Sequence, residues 1–425
     1  MITDLFVGKK IDKSKNVLLW TVASGIVYSL QSLLFLAVIQ RVMQAEIAGI
    51  YSAGFVVASQ VLSVAKYCVR NYQVSDISEK YSFDDYFATR IVTCSIALIV
   101  GVVWVIIADF DYRTTIVAIA LCVYKIADAL SDVFEGLYQQ KFRFDVSGKS
   151  QFIKDLLMII QYVGMIVITR NLVFSTVVLA VFSMLLLVVV DVPVSRRFVK
   201  WKIVFNKKHI RNILVTCFAL FISSFVQAYL QQSPKYAIMN LGGSEGNIEL
   251  AKFNELFLPV YLFALIAGFS LRIWITKMSV YHKEGNKKGF VNMIFKQSLI
   301  IIALMVLACL GMYFAGGYFL SLIYGTDLYG YEWFHVVIMI AGGVSAWYEL
   351  FENVLVIYRK QSWGIFASII TSVIALIIMP GFVRSNGIMG AAVGFLIINA
   401  IRTVLYLCLV IIFIKKENKK NEKIS

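Results

Sequence analysis

The chain has 425 residues, 60% of them apolar and only 15% charged, with a formal net charge of +15. Soluble globular chains carry about a quarter of their residues charged, so this composition excludes an ordinary water-exposed domain. The basic residues sit in the gaps between apolar stretches, which excludes nucleic acid as the partner and points to orientation in a membrane and contact with anionic lipid headgroups.

Twelve apolar stretches follow one another, each about twenty residues long and able to cross a hydrocarbon core of about 30 Å as a helix. Spans are predicted near 16–39, 46–69, 86–108, 115–138, 150–169, 172–192, 210–232, 248–272, 290–315, 332–357, 361–380 and 387–414. Residues 1–15 contain acids and four lysines without a cleavable signal pattern, so the first span is expected to serve as the targeting signal. The least regular segments are 247–272, with Pro259 as a candidate kink, and 316–331, read as an outside loop.

The lysines and arginines orient this map. Of the 40, 31 fall in the N-terminal arm, 70–90, 141–154, 196–211, 272–296, 359–360 and the C-terminal tail. Five lie in the alternate gaps (Arg41, Arg113, Arg170, Lys235 and Arg384), and four within spans (Lys66, Lys125, Lys252 and Arg402). Positive segments face the cytoplasm, so both termini are predicted there.

The basic run Arg196–Arg211 divides the spans into two sets of six, giving an N-terminal lobe at 1–200 and a C-terminal lobe at 201–425. "KNVLLW" opens the first half and "RNILVT" the second, and "DVFEGLYQQK" in the fourth span resembles "ELFENVLVIYRK" in the tenth. A parallel duplication follows, and such repeats place a substrate cavity between halves.

"RNYQVSD" and "YSFDDYFATR" after span two, "KIADALSDVFEGLYQQKFRFDVSGKS" through span four, and "QQSPKYAI" after span seven resemble the polysaccharide repeat-unit flippases. These belong to the multidrug/oligosaccharidyl-lipid/polysaccharide exporter (MOP) superfamily. The resemblance implies an all-α polytopic protein with two six-helix lobes in a MATE-like V. It also implies that the chain translocates undecaprenyl-pyrophosphate-linked oligosaccharides for surface polysaccharide synthesis by alternating access. The implied location is the bacterial cytoplasmic (inner) membrane, and the implied partners are a polysaccharide polymerase and glycosyltransferases. The chain lacks the two further C-terminal spans usual in peptidoglycan lipid II flippases, and the acid many cation-coupled drug exporters carry in span one. The alternative is a cation-coupled small-molecule (multidrug) exporter.

Ionisable groups inside spans cost roughly 2.5–3.5 kcal/mol each on insertion scales and face a cavity or a partner. In span four Lys125, Asp128, Asp132 and Glu135 recur at helical spacing and share one face. Lys125 and Asp128 can neutralise each other there, while Asp132 and Glu135 can cap loops; alternatively the acids line the cavity, and Asp128 or Asp132 takes up a coupling proton or sodium ion. A pyrophosphate needs cations along its path, and Arg402, Lys125, Lys66, Lys252, Arg41 and Lys235 are the candidates. The competing reading lets Lys66 and Lys252 snorkel, with Lys252 paired to Glu255. Asp191, Glu349 and Glu352 are expected to pair with loop lysines, and Tyr124 and Tyr138 are candidates for stacking on sugars.

Six scattered cysteines and three scattered histidines predict neither disulfides nor a metal site. The "GGSEGN" stretch lacks the lysine and threonine of a phosphate loop, and no other cofactor is indicated. A membrane polymerase, ligase or acyltransferase needs catalytic groups in a sizeable loop; the loops here are short and poor in such groups, which argues against an enzyme.

Overall fold

The structure is a computed structural model that describes residues 2–7, 14–76 and 78–422; the basic arm at 8–13 lies outside the described residues. Every regular element among the described residues is helical. In chain order the helices are α1 (Ile2–Val7), α2 (Ser14–Val42), α3 (Ala45–Lys66), α4 (Val69–Ser75), α5 (Phe83–Ile107), α6 (Tyr112–Gln140), α7 (Phe144–Thr169) and α8 (Leu172–Leu186). A π-helical turn, Leu187–Asp191, leads into α9 (Val192–Ser195). Then come α10 (Lys207–Met239), α11 (Gly243–Lys283), α12 (Lys287–Tyr324), α13 (Glu332–Ile357) and α14 (Gln361–Glu422).

Among the described residues, ten helical segments are long and apolar enough to cross a membrane. One of them, in α14, is broken at Asn386 and Gly387, where Gly387 adopts φ 53°, and so supplies two spans. The 29-residue α6 has the length of a span but carries the charges that set it apart in composition. Together these account for the twelve predicted spans. One expectation fails locally: the segment 316–331, read as an outside loop, is helical as far as Tyr324. Pro259 lies inside α11.

Local sequence explains the ends. Ser82 caps α5 in a capping box with Asp85, and the Asp111 carboxylate accepts from the N–H groups of Arg113 and Thr114 at the start of α6. Between α3 and α4, Tyr67 and Cys68 both take left-handed backbone angles, φ 42° and 52°. For non-glycine residues that costs about 1–2 kcal/mol each. The break lets Lys66 and Arg70, on either side of it, both reach α6.

The chain forms two compact units, Met1–Ala228 and Tyr229–Ser425. The division falls inside α10, whereas the sequence places it at 200/201. The first part of α10 groups with the first unit because Ile213 and Cys217 join its core, Phe221 stacks on Tyr67 at 4.3 Å, and the Phe225 carbonyl accepts from Gln60. In the first unit α6 is central, packed on α3, α5 and α8; in the second α13 is central, packed on α11, α12 and α14. The fourth span of each half therefore occupies the same place in its unit, in keeping with a duplication. Large apolar side chains such as Ile168 and Phe314 are about four-fifths exposed while charged ones are buried, the arrangement that lipid as solvent selects.

Candidate functional site

The first unit buries a balanced cluster of charge around α6. Lys66, Arg70, Arg90, Lys125 and Lys154 face Asp128, Asp132, Glu135, Asp155 and Asp191, five cations to five carboxylates. Asp132 is its hub: one oxygen accepts from Arg70 at 2.9 Å, the other from the fully buried Arg90 at 2.8 Å, and Lys66 stands 3.9 Å away. Arg70 also donates to Glu135 at 2.9 Å. Lys154 donates to both oxygens of Asp191 at 2.9 Å, and Ser131 and Ser150 donate to the same carboxylate. Asp132, Glu135 and Asp191 thus each have a partner of opposite sign within hydrogen-bond distance, the condition under which burial of charge is tolerated.

Asp128 and Asp155 are held more loosely. Asp128 accepts from the Tyr28 hydroxyl at 2.9 Å, with Lys66 at 3.3 Å and Lys125 at 3.9 Å. The Lys125 ammonium lies over the rings of Tyr124, Phe55 and Tyr28. Asp155 is buried, and its Oδ2 has no hydrogen-bond partner. Both acids line a cavity with about 420 Å³ of empty space, mouth included, together with Tyr28, Tyr124, Glu135 and Lys154. Its polar walls suit water and small ions.

The second unit treats its cations differently. Lys235 on α10 is buried, donates to the Tyr261 hydroxyl at 3.0 Å and lies over the rings of Phe257 and Tyr261. Lys252 on α11 donates to the Tyr331 hydroxyl at 2.9 Å and lies over that ring. Arg402 on α14 sits 3.4 Å over the Tyr348 ring and donates to the Ser368 hydroxyl at 3.2 Å; its Nε is buried without a partner. Ser368 in turn meets the Tyr406 hydroxyl, which donates to the Gly364 carbonyl. Among the described residues no carboxylate lies within 4.0 Å of these three cations.

The structure brings Lys66, Lys125, Asp128, Asp132 and Glu135 into one cluster of the first unit, while Lys235, Lys252 and Arg402 belong to the second unit. Arg41 ends α2 as an exposed residue in its last turn. Asp132 and Glu135 do not cap loops, because Arg70 and Arg90 reach them first. Lys66 pairs with acids rather than snorkelling, and Lys252 turns to Tyr331 instead of Glu255. Asp191 does take a lysine, Lys154. Tyr124 and Tyr138 are buried and spend their hydroxyls on Gln31 and on the Asp191 carbonyl, so neither ring is open to a sugar. Sequence reading assigned Arg70, Arg90 and Lys154 to cytoplasmic gaps and passed over Asp155. The signal was that Arg90, Lys154 and Asp155 each lie four or five residues inside a predicted span.

Among the described residues no group of three or more histidine, cysteine or acidic side chains is arranged to hold a metal. Neither protein-family models nor curated protein sequences match the chain. Solved structures do. The lipid II flippase MurJ in an inward closed conformation aligns with a TM-score of 0.71 and 14% identity, over 92% of this chain and 87% of that one. An inward-facing multidrug resistance MATE family transporter of the MOP superfamily aligns with a TM-score of 0.64 and 13% identity, over 92% of this chain and 96% of that one. A MOP superfamily transporter from Pyrococcus furiosus gives 0.54 and 13%, over 97% and 98%. The chain therefore shares the all-helical fold of these transporters.

Proposed function

We propose that this protein is a flippase of the bacterial cytoplasmic membrane. It moves undecaprenyl-pyrophosphate-linked oligosaccharide repeat units to the outer leaflet by alternating access, for surface polysaccharide synthesis. The observation that carries this reading is the set of cations in the second unit, Lys235, Lys252 and Arg402, supported by tyrosines and lacking carboxylate partners within 4.0 Å among the described residues. A lysine ammonium has three N–H donors and a guanidinium five, so most of theirs remain for a ligand. Unspent cations in a low-dielectric setting attract phosphate and repel cationic drugs. The fold is shared with a lipid II flippase, and the expected partners are glycosyltransferases and a polysaccharide polymerase.

The acids of the first unit have a different role in this reading. Asp128 and Asp155, in the small cavity, take up the proton or sodium ion that drives the cycle, while Asp132 and Glu135 hold the helices together through Arg70 and Arg90. A second reading, a cation-coupled multidrug exporter, draws on the same cavity and on the MATE fold.

Disruption of the gene separates the two. The flippase reading expects lipid-linked repeat units to accumulate on the cytoplasmic leaflet and surface glycan to disappear. Normal surface glycan with heightened sensitivity to cationic dyes overturns it in favour of the exporter.

A further inference from the structure

A buried carboxyl in the second unit forms no ion pair among the described residues. Glu255 on α11 is 1% exposed. Its Oε2 accepts from the Thr326 hydroxyl at 3.1 Å, while its Oε1 is buried without a hydrogen-bond partner. Lys252, one turn back, gives its ammonium to Tyr331, and no lysine or arginine nitrogen lies within 4.0 Å of Glu255 among the described residues. Pro259 follows four residues on and has no N–H, so the Glu255 backbone carbonyl also lacks its α-helical donor.

Three occupants can answer an unpaired buried carboxylate: a cation from the protein, a metal ion or a proton. The protein supplies no cation. A hard metal ion takes about six oxygens, and beyond its own carboxyl the site presents one hydroxyl and one backbone carbonyl. A proton needs a single oxygen, and Oε1 is unoccupied by any other bond. We propose that Glu255 is a proton-binding site of the second unit, distinct from the acids of the first.

The proton comes from water and forms an O–H bond on Oε1, leaving Oε2 to accept from Thr326. The elements that carry and cover it hold these ionisable groups: Lys252 and Tyr261 on α11, Tyr324 at the end of α12, Asp327 in the following loop, and Tyr331, Glu332 and His335 on or next to α13. On α10, Lys235 is engaged with Tyr261, and α14 meets this face through Phe395. The loop between α12 and α13 covers the site and is fastened to α11 at both ends, by Thr326 to Glu255 and by Tyr331 to Lys252. Loss of the proton leaves a buried carboxylate whose charge acts directly on its bond from the Thr326 hydroxyl in this loop. Proton occupancy and the loop's seating are therefore linked, whatever substrate the transporter carries.

The test is infrared difference spectroscopy on the full-length protein in lipid nanodiscs, between about pH 5 and about pH 9. Wild type is expected to show a protonated-carboxyl stretch that disappears at high pH, Glu255→Gln to lack that one component, and Glu255→Asp to retain it at a shifted frequency. Glu255→Gln copies the neutral acid, so its melting temperature at the low-pH end should match that of wild type. Three results overturn the proposal: an unchanged band in Glu255→Gln, no carboxyl band in wild type, or collapse of Glu255→Gln at low pH.

Discussion

The guanidinium carbon of Arg402 lies 3.4 Å from the centre of the Tyr348 ring, and Nη2 of the same group donates to Ser368. Helices α13 and α14 are joined here by a cation and a π face rather than by an ion pair. The stack fixes the plane of the guanidinium and leaves its remaining donors, Nε included, for an anion.

Replacing Arg402 tests whether that charge serves transport. Arg402→Ala is expected to lower glycan export at least about tenfold, equivalent to about 1.4 kcal/mol, at normal expression. Arg402→Lys keeps the charge but loses the planar stack, and export should fall between the two. The readout is surface polysaccharide per cell at matched protein level. Wild-type export by Arg402→Ala sinks the role.

Asp132 should matter for stability before transport. It is the carboxylate facing Arg90, whose side chain is fully buried, and it shares Arg70 with Glu135. Asp132→Ala strands a buried guanidinium and is expected to cost about 3–5 kcal/mol. Arg90→Met with Asp132→Leu removes both charges and should recover much of the loss. Melting curves in detergent check this, and equal melting temperatures for Asp132→Ala and wild type would contradict it.

Asp155 should separate coupling from binding. Asp155→Asn fills the same space without the charge, so exchange of substrate across a membrane with no ion gradient should persist. Uphill transport driven by a proton or sodium gradient should drop by about tenfold or more. Proteoliposomes loaded with fluorescent lipid-linked oligosaccharide give both readouts. Gradient-driven transport at the wild-type rate removes Asp155 from the coupling path.

Asp76 governs acid stability from the loop after α4, outside the spans. Burial pushes its carboxyl up, but the N–H groups of Lys80 and Tyr81 and the hydroxyls of Tyr86 and Ser78 donate to it, and together they hold it below the usual value. A depressed folded-state value means stability that is present above the ordinary Asp range, near pH 4, and lost as pH falls through the folded value. Asp76→Asn should therefore lower the melting temperature at neutral pH, by the equivalent of about 1–3 kcal/mol, and flatten its decline in acid. Parallel melting curves at neutral and acidic pH show whether the two proteins converge.

The spans were legible in the sequence because crossing a bilayer depends on apolar length, which any twenty consecutive residues display. The charged face of α6 was legible for the same reason, since Lys125, Asp128, Asp132 and Glu135 are neighbours in one helix. Their partners were not. Arg90 is 42 residues from Asp132, Tyr28 is 100 from Asp128, and Lys154 is 37 from Asp191. No local period encodes which distant helix faces which.

The sequence by itself displayed the apolar stretches long enough to cross a membrane, since these follow from hydropathy. Only the tertiary structure decided which charges are spent. Packing around α6 neutralises the acids of the first unit, while aromatic rings hold Lys235, Lys252 and Arg402 without a nearby carboxylate and leave Glu255 with an unpartnered oxygen. A charge in a span is costly wherever it lies, but whether it serves structure or a ligand depends on what stands within about 4 Å of it, and that is a property of the fold.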